Sequence, residues 1–125
     1  MTKIAALHQF FSSFGLYAFE ENTVPSGDDA PTLPYLTYSV TTDSIGTDVP
    51  LQMNLWYRSG SWTQANEKVE EICKAIGIGG KILPCDNGSI WIKRGSPFAQ
   101  NMGDPEDDMI RRKYINLTAE FLTAD

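Results

Sequence analysis

Near the start of the chain apolar side chains recur every three or four positions: Ile4, Leu7, Phe11 and Phe14, with Phe10 widening the stripe. That spacing predicts a helix over 3–14 with one buried face. Thr2 stands where a cap belongs, and Gly15 where a left-handed residue closes a helix. A second stripe, Trp62, Ala65, Val69, Ile72 and Ile76, predicts a helix from about 62 to 76. Glu67, Lys68, Glu70, Glu71 and Lys74 fall mostly on its wet side, and Gly77 ends it. Ser61 and Gln64 have the spacing of a capping box.

Elsewhere the period is two. In 35–42, Leu36, Tyr38 and Val40 face one way, and Tyr35, Thr37 and Ser39 the other. In 51–58, Leu51, Met53, Leu55 and Tyr57 alternate with Gln52, Asn54, Trp56 and Arg58. "GKILP" and "SIWIKR" read as short strands around "CDNG", whose Asn87-Gly88 signals a tight turn. In 113–123, Ile115, Leu117, Ala119 and Phe121 face in. The predicted order is α-β-β-α-β-β-β. Alternation means that the sheet is buried on one face only, and two amphipathic helices would cover that face. The expectation is an α+β, two-layer single domain over 1–125, with about five mixed, mostly antiparallel strands. Trp56, Tyr35, Asn54, Asn116 and Thr118 would lie on the outer face. Two long loops are expected, near 20–34 and 94–110. Loops of that length commonly carry function.

Charge changes this picture. The net charge is −6, and up to Tyr57 the only base is Lys3. Six of the ten bases fall between Lys81 and Lys113. An acidic chain of this kind is not expected to be a general nucleic-acid binder. No apolar run approaches the roughly 20 residues of a membrane helix, and "MTKIAALHQFF" lacks the apolar core of a signal peptide. The chain therefore reads as a soluble protein made in a cytoplasm, with Cys73 and Cys85 as reduced thiols, one on a helix and one in a turn.

Candidate chemistry is sparse. "GIGGK" (77–81) follows a helix and leads into a strand, whereas a phosphate cradle needs a helix N-terminus after the loop. "DPEDD" (104–108) lacks the bend glycine and distal glutamate of a calcium loop. His8, the only histidine, sits beside the first apolar stripe, where a core-edge role is expected. No catalytic, cofactor-binding or metal-ligating residue is assigned.

The phrases "FFSSFGLYAFEENTVP", "PYLTYSVTTDSIG", "NLWYRSGSW", "AIGIGGKILPCDNGSIWIKRGSPFAQ" and "RRKYINLTAEF" together resemble the tail terminator (tail completion) proteins of long-tailed phages, in the form found in phages and prophages of Firmicutes. The likeness lies in the order and length of elements over nearly the whole chain. It implies a structural role in the virion: a six-membered ring at the head-proximal end of the tail tube. Such a ring stops tube polymerisation and offers the surface that joins the head. Its implied partners are other copies of itself, the tail tube protein and a head-completion or connector protein, with DNA passing the lumen unbound. No catalytic motif and no cofactor come with the family.

From exposure and charge, Lys93, Arg94, Arg111, Arg112 and Trp56 are the expected subunit or partner contacts. Asp104, Glu106, Asp107 and Asp108 are expected to face the lumen or an interface, repelling DNA or pairing with a neighbour. Two other readings stay open: another neck, head-completion or minor capsid protein, and a small enzyme using the 104–108 carboxylates with a divalent ion.

Overall fold

The computed structural model describes all residues from Met1 to Asp125. One six-stranded sheet, ordered β1-β2-β3-β6-β5-β4, carries two helices on one face. The strands are β1 (Ala18–Glu20), β2 (Tyr35–Tyr38), β3 (Val49–Arg58), β4 (Lys81–Cys85), β5 (Gly88–Met102) and β6 (Ile110–Thr123). Helix α1 spans Lys3–Phe11 and α2 spans Thr63–Ile76. Only the β1–β2 pair is parallel.

The α+β architecture agrees with the hydrophobic pattern, and the inward rows of β3 and β6 are as read. Leu51, Met53, Leu55 and Tyr57 pack beside Ile115, Leu117, Ala119 and Phe121 in one core. Helix α1 adds Ala6, Leu7, Phe10 and Phe11, and α2 adds Ala65, Ile72 and Ile76. Thr2 caps α1, its Oγ1 accepting from the Ala5 amide at 3.1 Å. A 3₁₀ turn, Ser12–Phe14, carries the chain to Gly15, whose φ of 79° is the left-handed closure.

The sheet holds six strands where about five were expected; the additional one, β1, has three residues, too few to show a period. Four expectations need correction. Residues 94–102 are not loop: β5 continues to Met102, and only 103–109 separate it from β6. An irregularity between Arg94 and Ala99 breaks the register, and this hid the strand. Ile4 is exposed, because α1 turns Ala6 and Phe10 inward instead. Ser61 forms no capping box with Gln64: its Oγ accepts from the Thr63 amide at 3.1 Å, and Trp62 occupies the N-cap without a side-chain bond. Cys85 belongs to β4 rather than the turn, and both cysteines are free thiols. No helix is long and apolar enough to cross a membrane.

The "GIGGK" segment connects α2 to β4. Gly77 is the C-cap of α2, donating to the Cys73 carbonyl at 3.0 Å. Gly80 permits a close approach: a Cβ there would lie 2.5 Å from Trp91 Nε1 and 2.6 Å from the Ile92 carbonyl oxygen.

Candidate assembly surface

Strand alternation sorts the charged residues of β5 and β6 onto opposite faces. Arg112 faces outward with Tyr114 and Asn116, while Arg111 and Lys113 face the helix side with Ile115. Lys93 and Arg94 divide in the same way. The expected basic patch is therefore two separate surfaces.

The outer surface centres on Trp56. Its register places Tyr35 on one side and Arg112 on the other. The Tyr35 ring stacks on Trp56 with centroids 6.3 Å apart, and Phe19 meets Tyr35 edge-on at 5.9 Å. The Arg112 guanidinium lies 4.9 Å from the Trp56 centroid and 6.0 Å from that of Tyr114. Two hydrogen bonds pin the row: Trp56 Nε1 donates to Thr37 Oγ1 at 3.0 Å, and Arg112 Nε to Asn54 Oδ1 at 2.8 Å. These contacts bury Thr37 and Asn54, although no helix covers this face, so Asn54 is not the exposed residue expected. Phe19 escaped the sequence reading because its strand did.

Lys93 lies further along the same face and is satisfied within the chain. It pairs with Asp48 at 2.7 Å and Glu120 at 3.5 Å, and sits 4.3 Å from the Trp91 centroid. The hydrogen bond that it donates to Asp48 leads the causes that hold its ammonium above the usual lysine range; the negative charges of Asp48 and Glu120 add to it. Arg94 is also engaged, donating to the Cys73 carbonyl at 3.0 Å near the C-terminal end of α2, where a cation is favoured.

On the helix side, Trp62 lies between two cations. Arg111 sits 5.6 Å and Lys113 5.2 Å from its ring centroid. Lys113 is only 8% exposed, and burial lowers its pKa. Its Nζ donates to the neutral amide of Asn101. Arg111 donates through Nη1 to the Asp108 carbonyl, but its buried Nε has no partner. Pattern reading placed Trp62 in the core stripe and passed over Lys113. Counting back by twos from Ile115 would have put Lys113 and Arg111 on the same inner row.

The acidic tip, 103–109, is folded on itself. Asp104 Oδ1 accepts the Glu106 amide and Asp107 Oδ1 the Met109 amide, each at 2.9 Å. Asp107 also pairs with Arg58. That pair, with the Met109 amide second, holds the Asp107 carboxyl below the usual aspartate range. Glu106 and Asp108 are exposed. No three His, Cys, Asp or Glu side chains converge as a metal site. His8 bonds to the Tyr38 hydroxyl at 2.7 Å and to Ser12 Oγ at 3.4 Å. The most enclosed cleft, about 280 Å³ between α1 and β4, is lined by Gln9, Phe10, Ser13 and Leu83 among others, with no acid, histidine or cysteine.

No protein-family model matches the chain, and no curated protein matches it.

Proposed function

We propose that this chain is a structural subunit of a phage tail: a tail terminator whose copies form a ring on the head-proximal end of the tail tube, stop its growth and present the head-joining surface. The observation that carries the reading is the outer face of the sheet. Both helices pack on the other side, leaving Phe19, Tyr35, Trp56, Arg112 and Tyr114 as a half-buried row of aromatics around one cation. Tyr, Trp, Phe and Arg are the residue types enriched at protein interfaces. The row is pre-ordered by its own stacking, so docking on it costs little side-chain entropy. The sequence resemblance supplies the assembly in which such a face would serve.

The test is reconstitution. Purified chain is added to polymerising tail tube protein, and products are measured by negative-stain electron microscopy and native mass spectrometry. Tubes of limited length capped by a ring are expected, with a Trp56→Ala, Arg112→Ala variant failing to cap. Tubes that grow without limit at saturating protein, with no ring at either end, would refute the assignment.

A further inference from the structure

Lys113 is an ammonium, 8% exposed, whose only hydrogen-bond partner is a neutral amide. Arg111 lies two residues away on the same inner row, and its buried Nε is unpartnered. Neither cation belongs to an ion pair. Two positive charges thus flank one indole ring with no negative charge between them. A buried ion without a counter-ion is costly, and like charges at this range repel. Carboxylates brought beside them would offset both penalties, and a guanidinium is suited to bind one through two parallel hydrogen bonds.

Carboxylates of the required kind are present on this chain, in a place where they serve no fold. Asp28 and Asp29 are adjacent, exposed, and sit on the 3₁₀ turn Gly27–Asp29 within the loop after β1. Neither makes an ion pair or a side-chain hydrogen bond. Every other adjacent pair of acids has a member already engaged: Glu20 by Asn22, Glu71 by Lys68 and Asp107 by Arg58.

We propose that Trp62, Arg111 and Lys113 form a receptor for the paired carboxylates of Asp28 and Asp29 on a second copy of this chain. The inference rests on the ring reading above and names its subunit contact. Donor and receptor are different surfaces of the same molecule, so the contact is heterologous and each copy can engage two neighbours, the arrangement that closes rings.

The experiment is sedimentation velocity and native mass spectrometry across a concentration series, at low and high salt, on four proteins. These are wild type, Arg111→Glu, the double variant Asp28→Lys with Asp29→Lys, and all three changes combined. Circular dichroism checks folding, and Lys113→Met replaces Arg111→Glu if the latter unfolds. Each separate reversal is expected to raise the midpoint concentration of assembly at least about tenfold, the scale of breaking one buried charge partner. The combined protein should recover most of that loss. A wild type that assembles while both reversals leave its midpoint unchanged would overturn this contact alone and leave the ring standing. A wild type that never associates, free or on tube ends, would overturn the ring and this contact with it.

Discussion

Replacing Lys113 with Met should make the isolated subunit more stable while weakening its assembly. Methionine is unbranched like the lysine stem and can follow the same path under Trp62. Three effects compete. The hydrogen bond to Asn101 is lost, but Asn101 is exposed and its amide oxygen can turn to water, so the loss is about 1 kcal/mol. The stacking of the ammonium on Trp62, 5.2 Å away, contributes about 0.5–1 kcal/mol and is also lost. Against these stands the desolvation of an ammonium that is 8% exposed and has no carboxylate partner, a penalty on the order of a few kcal/mol for a buried ion. Burial lowers the Lys113 pKa, the direction in which desolvation acts.

The net expectation is a gain of about 1 kcal/mol, or roughly 0.5 M in the urea midpoint for a domain of this size. The pH dependence gives a second check. A lysine whose folded pKa is lowered destabilises the fold fully below that value. The penalty fades as pH rises from there toward about 10.4, the unfolded lysine value. The stability difference between wild type and Lys113→Met should therefore shrink as pH climbs into that window. A variant less stable than wild type by 1 kcal/mol or more at neutral pH would refute the reasoning and make Lys113 an ordinary structural residue.

Three further outcomes are expected. Arg58→Ala should raise the Asp107 titration, read by NMR, toward the usual aspartate range but not all the way, because the Met109 amide still donates to the carboxylate. Because that carboxyl is lowered in the fold, its contribution is present above about 3.9 and is lost as pH falls through the folded value, so the 103–109 turn should loosen in acid in wild type and at neutral pH in the variant. Gly80→Ala should cost about 1–3 kcal/mol in thermal unfolding, since φ there is +82° and the new methyl meets Trp91 Nε1 and the Ile92 carbonyl. Phe11→Ala should cost about 3–5 kcal/mol by urea denaturation, because Phe11 is fully buried and stacked 4.4 Å from Tyr38; a cost under about 1.5 kcal/mol would mean that α1 does not seal the core.

What could be read from the chain follows from where one face is wet and the other dry. β3 and β6 sit in the middle of the sheet under two helices, so their alternation is strict and their inward residues were evident. The far half of β5 was opaque for a physical reason. Arg94 faces Leu117 and Ala99 faces Ile115, both inward, yet they are five positions apart in β5 and two apart in β6. The extra residues reverse the phase of the alternation, and Gly95 and Pro97 within them look like loop. Asn116 holds this irregularity in place by donating to the Pro97 carbonyl at 2.9 Å. The charged residues were found as a group because charge is visible in sequence. Their separation onto two faces depends on where β6 begins, at Ile110 rather than Lys113.

The central position of β6 also sets how the molecule carries load. It is flanked by β3 from Val49 to Arg58 and by β5 along most of its length, in antiparallel pairs. Antiparallel hydrogen bonds stand perpendicular to the strands. A pull along β6 therefore strains all of them together, and none can fail before its neighbours share the force. The same pull on β1 meets only the short pairing from Ala18 to Glu20, with far fewer bonds to share it. The middle of the sheet is built for tension along the strands, and the β1 edge is where it would give first.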